Sequence, residues 1–317
     1  RTLRLHERFL CILLTIILAH YTSKYVEEPL RHKKLSSRTV YKGASITTAI
    51  SLVAGVLIAF TSSSIITTKG EPSYQFDLVK VMAKPAVYGD GCHVNYGETK
   101  SGYCTYGDKE SSQTIVLYGD SHAAQWFPTL EKLANERGFK LISLTKSACP
   151  AVEAQRRNQG AFRQADCSQW RKNSIERIAE IKPMAVITGN FHYYTPENEK
   201  VSRTAWWREG QRKLLNKLRG TTKNLIYISD TPRPLRDIPN CLASRNSKVC
   251  DSSEKSRVSV IPGFEVINPT PWLCSSYCPA ILDGSVAYRD ASHISVEMSL
   301  KLLPKFEQAL IAKGLFA

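Results

Sequence analysis

Short apolar runs of five or six residues recur through the second half of the chain, with amphipathic stretches between them. The runs lie at 114–118, 140–145, 184–188, 224–229 and 263–268. The intervening spacing predicts helices over 122–137, 168–181, 205–218 and 295–312. Apolar strands that alternate with helices are typical of a parallel sheet covered by helices on both faces. The alternation therefore predicts an α/β fold over residues 113–317.

A polar residue closely follows each of two predicted strands. Ser121 lies in the turn Gly119-Asp120-Ser121-His122 after the first strand, and Asn190 follows the third. Ligand sites of parallel sheets form at the carboxyl ends of the strands. We therefore expect Ser121 and Asn190 at the same edge of the sheet. Helix capping is the alternative for Ser121, and capping of the loop after its strand is the alternative for Asn190.

A carboxylate and an imidazole lie close together near the C-terminus. Asp290 precedes His293 by three positions, just before the last predicted helix. One local segment can thus carry a base and the group that orients it. Together with Ser121, these residues supply the nucleophile, base and orienter that acyl transfer needs.

The first part of the chain has a different character. Residues 43–68 contain no charged side chain, and a helix of that length can span a membrane, so we predict a transmembrane helix there. A shorter apolar run lies within residues 1–30, and the basic loop over 31–42 is expected on the cytoplasmic side. The chain after Lys69 is then expected outside the cytoplasm. Because the chain starts at Arg1 without a methionine, we expect it to be a piece of a longer protein.

Cysteine usage agrees with export. Eight of the nine cysteines follow Lys69, and an even number in an exported segment indicates disulfides. Sequence alone leaves the connectivity open. Proximity along the chain favours the pairs Cys92–Cys104, Cys149–Cys167, Cys241–Cys250 and Cys274–Cys278. No paired Cys-x-x-Cys motif occurs, so no metal site is expected.

The formal net charge of +15 is divided almost equally between residues 1–69 and the rest of the chain. The basic excess in the first part follows from membrane topology. The mild excess in the second part favours anionic glycans or lipid head groups. Nucleic acid is not an expected partner, because no binding motif or basic stripe accompanies the charge.

The order of these parts resembles the SGNH (GDSL-like) hydrolase superfamily, which has Ser, Gly, Asn and His in chain order and Asp-x-x-His near the C-terminus. Ser121 matches the first block, Asn190 the third, and Asp290 with His293 the last. The resemblance implies a flavodoxin-like parallel sheet with helices on both faces. It also implies that the Ser121 backbone N–H and the Asn190 side chain stabilise an oxyanion.

The glycine of the second block is missing from the expected place, where the chain reads Lys146-Ser147-Ala148. Because the family uses the backbone N–H of that residue, Ser147 or Ala148 is the candidate donor. Trp126, His192 and Tyr193 are candidate substrate-binding residues, because an aromatic ring can stack on a sugar. Core packing is the alternative for such residues.

A second resemblance concerns the N-terminal part. Residues 23–31, Ser-Lys-Tyr-Val-Glu-Glu-Pro-Leu-Arg, look like the end of the last helix of the membrane acyltransferase-3 family. The segments 119–124 and 288–293 look like the subclass in which that family is fused to a periplasmic SGNH domain. This resemblance implies five segments: 1–30, the end of the last acyltransferase-3 transmembrane helix; 31–42, a cytoplasmic basic loop; 43–68, an additional transmembrane helix; 69–112, a periplasmic linker or extension packed on the SGNH domain; and 113–317, the SGNH domain.

The resemblance further implies an O-acetyltransferase of the bacterial inner membrane that acts in the periplasm. Its acceptor would be a sugar hydroxyl of lipopolysaccharide O-antigen or its lipid-linked precursor. Its own acyltransferase-3 membrane domain would be the partner that draws acetyl groups from acetyl-CoA, and this chain would need no cofactor of its own. A membrane-tethered esterase, a peptidoglycan O-acetyltransferase and a non-catalytic glycan-binding module are the alternatives.

Overall fold

The structure is a computed structural model that describes residues 5–28, 36–61, 64–70, 73–198, 200–253 and 261–316. It divides into two units, Arg1–Ser64 and Ile65–Ala317. The strands are, in chain order, β1 (Ile65–Thr67), β2 (Gln75–Asp77), β3 (His93–Val94), β4 (Thr105–Gly107), β5 (Thr114–Gly119), β6 (Lys140–Lys146), β7 (Ala185–Gly189), β8 (Asn224–Ile228), β9 (Glu265–Ile267), β10 (Ile281–Leu282) and β11 (Ser285–Val286).

The helices are, in chain order, α1 (Leu5–Thr22), α2 (Ser37–Thr61), α3 (Leu78–Val81), α4 (Ser121–Ala124), α5 (Phe127–Arg137), α6 (Gln164–Ile181), α7 (Arg203–Leu218), α8 (Ile238–Ser244), α9 (Ser247–Cys250), α10 (Thr270–Leu273), α11 (Val296–Lys301) and α12 (Leu303–Ala312). A π-helical turn, Ser23–Glu27, follows α1, and a 3₁₀ turn, Ala86–Tyr88, precedes β3.

A parallel sheet forms the centre of the larger unit, with the strand order β6-β5-β7-β8-β9. This is the doubly wound order of flavodoxin-like sheets. The predicted α/β fold with a central parallel sheet is confirmed. The predicted strands agree with the observed ones to within two residues at each end, whereas the predicted helix over 122–137 is divided into α4 and α5.

Alternate residues of β5 point to opposite faces of the sheet, and each face has its own hydrophobic cluster. Ile115 and Leu117 belong to the cluster that contains Phe127 of α5, whereas Val116 and Tyr118 belong to the cluster with Trp170 of α6. Burial on both faces explains why the strand reads as a continuous apolar run. It also makes β5 a rigid support for the turn that follows it.

The segment over 69–112 is more than an extension packed on the domain. Its strand β3 pairs parallel with the end of β6, and β4 pairs antiparallel with the beginning of β6. Both therefore belong to the seven-stranded sheet. This segment is charged and rich in glycine, so it contains no apolar runs from which the short strands could be predicted.

All four expected disulfides are present, and they join Cys92 to Cys104, Cys149 to Cys167, Cys241 to Cys250 and Cys274 to Cys278. The second of them ties the loop after β6 to helix α6. Each bond closes a short loop of the chain, and therefore limits the conformations of the unfolded state.

The N-terminal unit contains α1 and α2. Helix α2 begins before residue 43 and ends at Thr61, and β1 begins at Ile65, so the helix does not match the predicted bounds of 43–68. Among the residues that the structure describes, no helix was found with the length and apolar character needed for a membrane crossing. The predicted span stays a prediction. Residues 31–35 of the predicted basic loop lie outside the described residues, and residues 37–42 belong to α2.

Candidate active site

A sharp turn at the carboxyl end of β5 presents Ser121. Gly119 closes the strand with a φ of 154° and Ser121 begins helix α4. A side chain at Gly119 would collide with the backbone carbonyl of Gly189, which belongs to the neighbouring strand β7. Only glycine lets the two strand ends approach this closely. The turn thus places Ser121 at the first position of a helix.

Ser121 and His293 are within hydrogen-bond distance. The Nε2 atom of His293 lies 2.8 Å from the Oγ of Ser121. On the other side of the ring, Nδ1 lies 2.8 Å from Oδ2 of Asp290. The three predicted residues are thus assembled in the order nucleophile, base and orienter.

Asp290 is held by the segment that it belongs to. Its Oδ1 accepts hydrogen bonds from the backbone N–H groups of Ser292 and His293, each at 2.8 Å. Burial raises the pKa of this carboxyl, but its bonds to His293 and Ser292 outweigh burial and hold the pKa well below the usual range. Asp290 is therefore ionised when it faces the imidazole.

The pKa of His293 is lowered. Burial is the main cause, and the neighbouring His122 adds to it, while Asp290 acts in the opposite direction. A lowered pKa keeps the imidazole neutral near pH 7, as a base that receives the Ser121 proton must be.

Asn190 follows β7 at the same sheet edge and is fully buried. Its Oδ1 accepts a hydrogen bond from the N–H of Ala151 at 2.6 Å, which fixes the carboxamide orientation. Its Nδ2 has no hydrogen-bond partner. The Tyr227 hydroxyl is a hydrogen-bonding neighbour of the Asn190 side chain, but no hydrogen bond of standard geometry engages Nδ2, and this N–H can donate to an oxyanion.

The candidate role of Ser147 in the oxyanion hole is not supported. Its N–H donates to the carbonyl of Val94 at 2.8 Å, and its hydroxyl lies 3.0 Å from Nε2 of His93. Ala148 instead has a φ of 54°, in the region that favours glycine. Ala148 therefore has a backbone conformation that a glycine would adopt without strain, and its N–H is the better candidate donor.

The three candidate substrate-binding residues have different environments. Trp126 is only 1% exposed and stacks on Phe306, so its interpretation as a substrate contact is wrong. His192 is half-buried, and its Nε2 lies 2.8 Å from the Tyr227 hydroxyl. Tyr193 is half-buried and remains a candidate.

A second Asp-x-x-His spacing, Asp90 and His93, has no comparable geometry. The Nδ1 of His93 lies 3.0 Å from Oγ1 of Thr145, whereas Asp90 accepts a hydrogen bond from Tyr106. Burial lowers the pKa of His93 to about 3. This imidazole is a neutral part of the sheet edge, and the spacing alone does not identify a catalytic pair.

Asp120 joins the ends of two strands. It is fully buried, and its carboxylate accepts hydrogen bonds from the N–H of His122, the N–H of Phe191 and the hydroxyl of Tyr194, at 2.8, 2.9 and 2.8 Å. Two of these donors follow β7. The aspartate of the Gly-Asp-Ser turn therefore locks the Ser121 turn to the segment of Asn190.

His122 and Asp230 form a buried pair that sequence reasoning missed. The Nδ1 of His122 lies 2.6 Å from Oδ1 of Asp230, and the His122 ring centroid lies 4.4 Å from that of His293. A signal for Asp230 was present: it follows a predicted strand at the carboxyl edge, as Ser121 and Asn190 do.

An aromatic and basic surface adjoins this pair. Phe191 lies 4.7 Å from the His122 ring, and the guanidinium of Arg233 lies over the rings of Phe191 and Tyr193 at 5.8 and 5.3 Å. Arg233 is exposed and both rings are half-buried. We call Phe191, Tyr193 and Arg233 the aromatic face. No group of three metal-ligating side chains occurs in the described part of the chain.

A comparison with protein families identifies the fold. The family described as "SGNH domain (fused to AT3 domains)" matches residues 91–308, which is more than half of the chain. The chain belongs to this SGNH family. The match covers every strand from β3 to β11 and all the predicted site residues.

One solved structure has a fold similar to that of this chain. The periplasmic domain of a lipopolysaccharide acetyltransferase from Salmonella ser. Paratyphi A matches with a TM-score of 0.54 and 16% identity, over 71% of this chain and 88% of that one. A Bacteroides fragilis protein assigned as an acylhydrolase matches with a TM-score of 0.36 and 10% identity, over 65% and 90%. This second score is too low to support an argument. No curated protein matched the sequence.

The assembled geometry fits one class of chemistry. A serine hydroxyl, a neutral imidazole and an ionised carboxylate form one line of hydrogen bonds, with helix N–H groups and a buried amide donor nearby. These are the parts that covalent acyl catalysis uses. Family membership and this arrangement together support an enzyme that transfers or hydrolyses acyl groups.

Proposed function

We propose that this SGNH domain transfers an acetyl group to a sugar hydroxyl of lipopolysaccharide O-antigen outside the cytoplasm. The observation that carries the proposal is the line of hydrogen bonds from Ser121 through His293 to Asp290, in a family described as fused to AT3 domains. A domain fused to an acyl-handling partner has a built-in source of acyl groups. Hydrolysis alone would not need that partner.

In the first step His293 takes the proton of the Ser121 hydroxyl while Oγ attacks the acetyl carbonyl of the donor. The leaving group departs with the proton from His293, and acetyl-Ser121 remains. In the second step the sugar hydroxyl gives its proton to His293 and attacks the ester. Ser121 Oγ then leaves and recovers the proton, so that the enzyme is restored. The N–H of Ser121 and the Nδ2 of Asn190 are the proposed donors to the oxyanion.

Three features support a reaction outside the cytoplasm, on a sugar acceptor and beside a membrane. Four disulfides fit an oxidising compartment such as the periplasm. The aromatic face offers rings and a guanidinium, which suit a sugar acceptor. Apolar side chains of α1 and α2, such as Phe9 and Ile50, are more than half exposed, as they would be in helices that contact lipid. We propose that acetyl-CoA is the ultimate donor, through an acyltransferase-3 domain.

The test uses the full chain in detergent with p-nitrophenyl acetate as the donor. Intact mass should show one acetyl group on the wild type and none on Ser121→Ala. Addition of purified O-antigen polysaccharide should then discharge the acetyl group faster than water does, with the acetyl ester appearing on the polysaccharide. Loss of acetyl only to water would identify an esterase. No acetylation of a folded wild type would overturn the proposed chemistry of Ser121.

A further inference from the structure

The site contains two histidine–carboxylate pairs, and the first of them includes the proposed base, His293. Asp290 bonds its Nδ1 from one side. The His122 ring packs against it from another, with centroids 4.4 Å apart and planes inclined at 41°. His122 is in turn bonded to Asp230, which is 2% exposed. The role of Asp290 follows from the triad, whereas that of the second pair does not.

The surroundings of the second pair favour an ionised Asp230. Besides His122, the Asp230 carboxylate accepts a hydrogen bond from the N–H of His192 at 2.9 Å. Burial raises the pKa of Asp230 to about 6 and lowers that of His122 to about 4. Near pH 7 the aspartate is therefore ionised and the imidazole neutral, with Nδ1–H donating to Oδ1. The pair carries one net negative charge inside the protein.

We infer that His122 and Asp230 are positioning residues for His293: the His122 ring fixes the plane of the base, and the buried negative charge stabilises the imidazolium that forms when Ser121 gives up its proton. The inference rests on the proposed function, because it assigns His293 as the base. It follows from the geometry, since a ring contact at this distance restricts the rotation of His293, and a nearby anion favours its charged form.

Other groups also act on His293, and the effect of Asp230 must be separated from theirs. The titratable and charged groups around this imidazole are Asp290 and Arg289 from its own segment, His122 from α4, Asp230 from the end of β8, and His93 from β3. Asp290 is bonded directly, whereas Asp230 acts through His122. A change at Asp230 should therefore move the titration of His293 less than a change at Asp290.

The experiment compares Asp230→Asn, which removes the charge at constant shape, with His122→Phe, which keeps a ring and removes the bond to Asp230. Ser229→Ala is the matched control, because this neighbouring side chain is buried and its hydroxyl has no hydrogen-bond partner. Two readouts are needed. Hydrolysis of p-nitrophenyl acetate gives kcat and KM against pH, and NMR of the full chain, labelled at its seven histidines, gives the pKa of His293 directly.

We expect Asp230→Asn and His122→Phe to lower kcat by about 10- to 100-fold with little change in KM. Asp230→Asn should lower the pKa of His293 by about half a pH unit or more, because an anion that favours the imidazolium is lost. His122→Phe should not lower this pKa, because Asp230 keeps its charge and His122 is itself one of the groups that lower it. Ser229→Ala should change neither. If Asp230→Asn keeps the wild-type kcat, or loses it only together with thermal stability while His293 titrates as before, the inference is overturned.

The two proposals fail in different ways. A wild type with no Ser121-dependent turnover would remove the proposed function. The NMR titration would still measure whether Asp230 and His122 act on His293, because it requires no reaction. An unchanged titration in the Asp230→Asn variant of an active enzyme would remove only the inference about this second pair.

Discussion

His293 Nε2 lies 2.8 Å from Ser121 Oγ, although 172 residues separate the two in the chain. The approach depends on the segment around His293. The N–H of Ile294 donates to Oε1 of Gln125 at 2.9 Å, and an antiparallel bridge joins Ile294 to Tyr288. The base is thus fixed to the helical segment that begins at Ser121, and the pair is preorganised before any substrate binds.

Asp290→Asn should lower kcat by about 10²–10⁴-fold while the fold is kept, because an amide no longer holds His293 as an ionised carboxylate does. Since Asp290 raises the pKa of His293, its loss should also shift the acidic limb of the rate profile to lower pH. Rates of p-nitrophenyl acetate hydrolysis between about pH 4 and 9 would show both effects. A variant with wild-type kcat would remove Asp290 from the triad.

The kcat/KM of the wild type should depend on pH through the protonation of His293. Only neutral His293 can accept the Ser121 proton, so kcat/KM should rise with pH as this imidazole loses its proton and then level off. The lowered pKa of His293 places the midpoint below the ordinary histidine value of about 6.5. Ser121→Ala is the control for background hydrolysis. A midpoint above that value would contradict burial as the dominant influence.

Much of this site follows from sequence because parallel strands bring their carboxyl ends to one edge. Ser121 and Asn190 each follow a buried apolar run, and the topology alone makes them neighbours. Asp290 and His293 are predicted from a different feature, their short spacing in the chain. That spacing alone is ambiguous. Asp90 and His93 share the spacing, but tertiary packing gives each of them other partners.

The parts that sequence reasoning missed depend on contacts between distant segments. Trp126 lies five residues after Ser121, yet the break between α4 and α5 turns its ring into the core against Phe306. The contact of His122 with His293 depends on a segment 171 residues further on. No periodicity or local spacing contains that information. The backbone conformation of Ala148 could not be predicted from the sequence either, because a φ of 54° is unusual for alanine.

Asn190→Asp separates the two functions of the Asn190 carboxamide. The carboxylate can still accept the hydrogen bond of Ala151 N–H, but it cannot donate to an oxyanion. We expect kcat to fall by about 10²–10³-fold or more, because the donor is lost and a negative charge is added. Asn190→Ala, which loses both functions, should also lower the melting temperature. Full activity in Asn190→Asp would assign the oxyanion hole to backbone N–H groups alone.

Trp126 and Tyr193 should respond to substitution in opposite ways. Trp126→Ala leaves a cavity beside Phe306 and should lower the free energy of unfolding by about 3–5 kcal/mol. Tyr193→Ala removes a half-buried ring of the aromatic face, and should raise KM for a glycan acceptor with little change in stability. Denaturant unfolding and acceptor-dependent discharge of acetyl-Ser121 would measure the two effects. An acceptor KM that is unaltered in Tyr193→Ala would exclude this ring from the acceptor site.

Gly119→Ala should be more damaging than the same change at Gly138. Both glycines have positive φ, at 154° and 68°, so alanine is strained at each. At Gly138 the new methyl group meets open space, and a cost of about 1–2 kcal/mol is expected. At Gly119 the methyl group collides with the Gly189 carbonyl, so β5 and β7 must separate at the site edge. We therefore expect Gly119→Ala to lose stability beyond the Gly138 value and to lose acetylation of Ser121 as well. Equal melting temperatures and equal acetylation in the two variants would show that the close approach of these strand ends is not needed for the turn.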